Sequence, residues 1–212
     1  MSAIQEVAER SVTDNQKLLK SLYQEEHTSF SAVNTFLRCP RQYRYRYVQR
    51  ETPEFTSDDL IFGSAFHRVV AGFYVTLKTT GERLPPSKLS EDWEIALERE
   101  LSEAKAPVRF KRSKEDLLAQ GKVMLEVYAE SVNPRRIVAV EVPFCLPIDD
   151  PRTGEVLPVK LIGAVDLIEA DDAGNLVVVE LKTAAKKWSE GDVEMSLQGS
   201  LYSFVVSEMS EP

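Results

Sequence analysis

Two carboxylates and a lysine interrupt otherwise apolar runs: Leu161-Ile162-Gly163-Ala164-Val165-Asp166-Leu167-Ile168, a turn, then Leu176-Val177-Val178-Val179-Glu180-Leu181-Lys182. Taking an ionised carboxylate out of water is costly unless a partner or a metal compensates it. The turn Asp171-Asp172-Ala173-Gly174-Asn175 suits a tight hairpin, and centring it on Ala173 sets Asp166 directly across from Glu180. Opposed residues on an antiparallel pair hold their Cβ atoms about 4.5 to 5.5 Å apart. Strand alternation then puts Lys182 on the face of Glu180, opposite the small Ala164. Two ionised carboxylates about 5 Å apart repel by roughly 3 kcal/mol at an effective dielectric of about 20, and a divalent cation turns that repulsion into attraction. Oxygen ligands beside a lysine suit Mg2+ or Mn2+ rather than zinc. The competing reading is an exposed hairpin face whose like charges are solvated, with Lys182 screening Glu180. Ala164, Ile168 and Val178 share that face and argue that it is covered.

The elements that must hold these groups follow from periodicity. Residues 137–146 read as a further strand, and a turn near residues 151–154 leads into the hairpin, making a β-meander. Glu141 lies on this preceding strand, where it either adds an outer carboxylate or is simply exposed. Upstream, residues 1 to about 27 read as a polar helical leader. Ser31 is placed to cap a short helix through Leu37, and Pro40 opens the next, running towards Val48. Residues 51–59 read as a loop. A longer helix follows with Ile61, Phe62, Phe66, Val69, Val70, Phe73 and Leu77 at helical spacing. Gly63 and His67 share one of its faces, so the glycine permits close approach where the imidazole projects. By itself a solitary histidine next to apolar residues is more often structural than a ligand, and His67 fits either role. Residues 91–105 read as an exposed helix, and Ser113-Lys114-Glu115-Asp116 resembles a capping box opening another to about Val132. Residues 193–209 read as a last helix with Gln198 and Tyr202 on one face and an apolar stripe of Leu197, Leu201, Phe204 and Val205.

Composition bounds the partners. With 212 residues, 43% hydrophobic and 28% charged, the chain suits one ordinary globular domain. No signal-peptide pattern opens it and no run reaches the length of a membrane span, so a cytoplasmic protein without a membrane partner is expected. Cys39 and Cys145 lack the spacing of a disulfide framework or zinc site. A net charge of −8 argues against coating nucleic acid over the whole surface. One segment is locally basic: residues 38–50 carry Arg38, Arg41, Arg44, Arg46 and Arg50 with Tyr43, Tyr45 and Tyr47 and no acid. Cations interleaved with aromatics can track a phosphate backbone and stack bases. An amphipathic helix with Tyr43 and Tyr47 in the core explains the pattern equally well.

Taken together, Gly63-x-x-x-His67, Gly163-x-x-Asp166, Glu180-x-Lys182 and Gln198-x-x-x-Tyr202, preceded by Ser31-Ala32-Val33-Asn34-Thr35-Phe36-Leu37-Arg38-Cys39-Pro40-Arg41-Gln42-Tyr43, resemble the RecB-like branch of the PD-(D/E)XK nuclease superfamily over residues 29–206. The resemblance implies an α/β (α+β) restriction-endonuclease-like core, a mixed sheet with a central β-meander flanked by helices. It places a leader at residues 1–28, a nuclease domain at 29–212 and a helical insertion at about 85–133.

The same resemblance implies a metal-dependent deoxyribonuclease using Mg2+ or Mn2+, an exonuclease or nuclease module in DNA repair, recombination or defence. Asp166 and Glu180 would hold the metal with the Leu181 carbonyl and His67, and Lys182 would orient the attacking water. Gln198 and Tyr202 would shape the pocket, with Arg38, Arg41, Tyr43 and Arg44 on the substrate. DNA, single-stranded or duplex, is the implied substrate, with a helicase or other DNA-processing protein as a partner. The alternative is a catalytically inactive nucleic-acid-binding or scaffold module of such a complex. Relatives that carry an iron-sulfur cluster use a cysteine near the Cys-Pro segment and three after the Gln-x-x-x-Tyr motif. Cys39 has no such downstream partners, so no cluster is expected. The chain ends at Pro212, short of the strand and helix with which relatives usually continue, which fits a truncated, degenerate or minimal domain.

Overall fold

A computed structural model describes residues 3–183 and 189–210. Contacts divide these into two units. One holds the described residues up to Gln49, Arg135–Glu180 and those from Ser189 on; the other holds Arg50–Pro134 and residues 181–183.

In chain order, the first unit opens with α1 (Ala3–Glu9), α2 (Val12–Leu22), the short strand β1 (His27–Thr28), α3 (Phe30–Arg38) and α4 (Pro40–Tyr43), which runs on into a π-helical turn over Arg44–Val48. Ser11 caps α2 by accepting a 3.1 Å hydrogen bond from the Asp14 amide. The cap of α3 is Ser29, whose hydroxyl accepts from the Ala32 amide at 3.3 Å; this corrects the expectation of Ser31, which lies inside the first turn. Pro40 stands at the start of α4 as expected, after Cys39 as N-cap.

The second unit holds β2 (Thr56–Ser57), α5 (Asp58–Thr80), α6 (Pro86–Ser102), β3 (Val108–Arg109) and α7 (Lys114–Ser131). The stretch expected to be a loop thus ends in β2 and the first turn of α5, where Ser57 accepts from the Asp59 amide. The capping box at Ser113 and Asp116 is formed in both directions. Helix α5 is long and apolar enough to cross a membrane by length and composition, a correction to the expectation that no segment is. Asp58, His67 and Arg68 break its apolar run, which hides its length. It is the core helix of its unit: Phe62, Phe66, Val69, Val70 and Phe73 are buried, with Phe62 edge-on to Trp93 at 5.0 Å. A Cβ on Gly121 of α7 would lie 2.1 Å from the Trp93 ring, so only glycine admits the indole there.

The chain returns to the first unit with β4 (Arg136–Leu146), β5 (Lys160–Ala170), β6 (Leu176–Val179), α8 (Glu190–Glu194) and α9 (Leu197–Ser210). β5 is the central strand. β4 runs antiparallel along one edge; on the other, β1 pairs in parallel with Lys160 and Leu161 and β6 pairs antiparallel with Leu167 to Ala170. This mixed sheet flanked by helices is consistent with a restriction-endonuclease-like fold.

The core of this unit lies where α1 and α9 meet the sheet, built on Val7, Val142, Phe144, Val165, Ile168, Val205 and Met209. Tyr202, Val205, Val206 and Met209 turn inward, whereas Leu197 and Phe204 are 51% and 55% exposed. The expected stripe of Leu197, Leu201, Phe204 and Val205 is therefore displaced by one position. The helix is apolar around most of its circumference, so periodicity selects no single face.

Candidate active site

The hairpin register is the one centred on Ala173. Leu167 faces Val179, Ile168 faces Val178 and Ala170 faces Leu176, so one further step sets Asp166 across from Glu180. The turn fixes this register through Asp171: its Oδ1 accepts from the amides of Ala173 (2.9 Å) and Asn175 (2.8 Å), and Oδ2 accepts from Asn175 Nδ2 (2.9 Å). Those bonds, the side-chain one foremost, hold the Asp171 carboxyl below the usual carboxylate range. Gly174 supplies the left-handed residue, φ +88°. The paired strand ends at Val179, not at Lys182 as expected; Glu180 follows it in extended register but outside the ladder.

Both carboxylates are partly buried. Gln198 on α9 donates from Nε2 to Glu180 Oε1 at 2.7 Å, and Glu180 Oε2 is buried. Tyr202, one turn further along α9, is 7% exposed and sits edge-on to Phe144 at 5.8 Å. Burial pushes its hydroxyl up to about 12, with the negative charges of Glu180 and Asp166 adding and the hydrogen bond to Gln198 opposing. Gly163 explains why Phe144 can lie there: a Cβ at residue 163 would stand 2.6 Å from the ring's Cζ. A glycine inside a strand marks such a close approach.

Glu141 has a defined place too. Val140 faces Leu167 and Val142 faces Val165, which puts Glu141 at the register position of Asp166. Its φ of +51° is a left-handed value that costs a residue with a Cβ about 1 to 2 kcal/mol. Three carboxylates thus fall at matching positions on β4, on β5 and just beyond β6.

In the second unit, α5 carries His67, and Gly63 one turn before it meets Thr183: a Cβ on Gly63 would lie 3.2 Å from Thr183 Oγ1. The glycine lets Thr183 lie close to α5, and His67, one turn on, is partly buried. Leu181 and Lys182 belong to this unit, partly buried and exposed respectively.

In the basic segment, Arg38, Arg41 and Arg44, expected on the substrate, and Arg46 are exposed on α3, α4 and the π-helical turn. None of the four forms an ion pair among the described residues, whereas Arg68, Lys88, Arg99, Lys111, Arg112, Lys114, Lys122 and Lys160 all do. Tyr43 and Tyr47 stack at 5.4 Å and Phe36 meets Tyr43 edge-on. These tyrosines are partly buried, neither core nor free, and Tyr45 is exposed beneath Arg41. Burial and the nearby Tyr47 raise the Tyr23 hydroxyl; this places Tyr23, unmarked in the sequence, beside the aromatic run.

Within the first unit, the described residues contain no group of three His, Cys, Asp or Glu side chains set to bind a metal. The donor set nevertheless fits a hard divalent ion. Mg2+ is ordinarily held by one or two carboxylates and completes its shell with water and phosphate oxygens, and Asp166 facing Glu180 supplies such a pair.

Comparison with known proteins gives two findings. The family model described as the PD-(D/E)XK nuclease superfamily matches residues 27–212. No curated protein matches the chain.

Proposed function

We propose, from the premise that this chain belongs to the PD-(D/E)XK nuclease superfamily, that it is a RecB-like deoxyribonuclease that hydrolyses phosphodiester bonds with Mg2+ or Mn2+. The observation that carries this reading is the register that sets Asp166 across from Glu180, with Gln198 holding the second carboxylate.

Asp166 and Glu180 would hold the ion, with the Leu181 carbonyl and His67 as the further ligands that the resemblance implies. When bound, the ion lowers the pKa of its water and withdraws charge from the phosphoryl oxygens. Lys182 contributes a cation outside the coordination shell, orienting the attacking water and steadying negative charge on the phosphate. Gln198 fixes the Glu180 carboxylate. Tyr202, packed against Phe144, supports Gln198 from within the core. Glu141 stands as an outer carboxylate.

The exposed Arg38, Arg41, Arg44 and Arg46, which form no ion pair among the described residues, with the stacked Tyr43 and Tyr47 support a nucleic-acid substrate, since such a surface serves phosphates and bases together. The activity belongs to an exonuclease or nuclease module in DNA repair, recombination or defence, working with a helicase or similar DNA-processing protein in the cytoplasm.

Calorimetric titration with Mn2+ tests the reading. Binding that disappears in Asp166→Ala and in Glu180→Ala supports it. Oligonucleotide binding with no metal binding in the parent protein would instead identify a non-catalytic binding module.

A further inference from the structure

The second unit carries a basic segment that the proposed site does not use. Residues 105–114 contain Lys105, Arg109, Lys111, Arg112 and Lys114 and no acid, in a chain of net charge −8. A fully buried carboxylate shapes this segment. Asp58 is 0% exposed, and its Oδ2 accepts from the amides of Lys111 (3.0 Å) and Arg112 (3.3 Å), with Arg112 Nε at 3.6 Å. Its Oδ1 is buried without a hydrogen-bond partner among the described residues. Burying a carboxylate is costly, and here it goes to fixing the conformation of a surface loop.

The fixed loop presents two features outward. Lys111 pairs with Asp59, Arg112 with Asp58 and Asp59, and Lys114 with Glu98. Arg109 is exposed and forms no ion pair among the described residues; its guanidinium lies 3.9 Å from the ring centroid of Phe55. Phe55 is 37% and the adjoining Phe110 47% exposed. Parallel pairing of β2 with β3 sets Arg109 opposite Ser57, two residues beyond Phe55. An exposed guanidinium on an aromatic face, followed in sequence by a second exposed ring, offers one cation for a phosphate and flat surfaces for a base.

We infer that Phe55, Arg109 and Phe110 of the second unit form a nucleic-acid contact additional to the arginines of residues 38–46, at which one nucleotide stacks on Phe110 or the Arg109 guanidinium while its phosphate meets Arg109. The inference rests on the nuclease reading for its ligand class, but its test needs no cleavage.

Fluorescein-labelled oligothymidylate and a labelled duplex are titrated in EDTA at several salt concentrations, followed by anisotropy. Phe110→Ala is expected to weaken oligothymidylate binding about tenfold. Arg109→Ala is expected to lower the slope of log affinity against log salt by about 0.7. Arg109→Lys should keep the slope yet weaken binding, because the charge survives and the stacked plane does not. Lys122→Ala, removing a cation paired with Glu94, should bind like the parent, and circular dichroism checks that each variant is folded. Parental affinity and slope in Phe110→Ala and Arg109→Ala would overturn the inference, as would displacement of the oligonucleotide from this patch by polyglutamate at equal charge. Loss of metal-dependent cleavage alone, with these binding differences intact, would count against the nuclease reading and leave this contact standing.

Discussion

Gln198 on α9 donates a 2.7 Å hydrogen bond to Oε1 of Glu180, the residue just beyond β6. The bond limits rotation of the whole carboxylate. A carboxylate held in this way is a better ligand than a mobile one. Gln198→Ala is therefore expected to raise the Kd for Mn2+ about tenfold to a hundredfold, measured by calorimetry, with little change in the thermal midpoint.

Gly163 and Phe144 form the buried support of the same site. Alanine at residue 163 would set its methyl 2.6 Å from Phe144 Cζ, forcing the ring off Tyr202. Overpacking of this kind costs about 1 to 3 kcal/mol. Differential scanning calorimetry of Gly163→Ala should show a Tm several degrees below the parent, and Mn2+ affinity should fall with it.

The hydroxyl of Tyr202 sets an alkaline limit. Its value rises from 10.0 to about 12 on folding, so the folded state holds the proton more tightly than the unfolded one. This stabilising contribution is complete below pH 10 and is lost as pH rises through the window up to about 12. Urea unfolding on either side of pH 10 should show a shallower alkaline decline in Tyr202→Phe than in the parent.

The four exposed arginines, Arg38, Arg41, Arg44 and Arg46, lead to a salt-dependent expectation. Arg41→Ala and Arg44→Ala should each reduce the slope of log affinity against log salt by about 0.7 to 0.9, uniformly across DNA sequences. Filter binding in EDTA reads this without interference from cleavage.

Much of this arrangement was legible in the chain because the hairpin writes its own register. Asp171, Gly174 and Asn175 are the residues such a turn requires, and once the turn is centred on Ala173 the facing of Asp166 and Glu180 follows from the period of two. The Ser113 capping box and Pro40 were equally readable, being local chemistry. The strands β1, β2 and β3 were not, since two residues apiece carry no periodicity. Neither was the inward face of α9, where Leu197 and Phe204 are as apolar as Val205 and Met209, so that only packing against the sheet decides between them. The position of Glu141 opposite Asp166 depends on the register of β4, which shifts between Ile137 and Ala139 and cannot be counted from a turn. Gly163 did carry a readable signal, a glycine amid strand formers, but its partner Phe144 lies on another strand.

The central claim is that Asp166 and Glu180 together support hydrolysis of DNA. Its most direct test is cleavage of end-labelled single-stranded and duplex DNA by the purified protein in Mg2+, Mn2+ or EDTA, beside Glu180→Gln, which keeps the shape of the side chain and removes its charge. The account predicts cleavage in Mg2+ or Mn2+, none in EDTA, and a loss of at least about a hundredfold in the variant. Undiminished cleavage by Glu180→Gln, or cleavage that persists in EDTA, would contradict it.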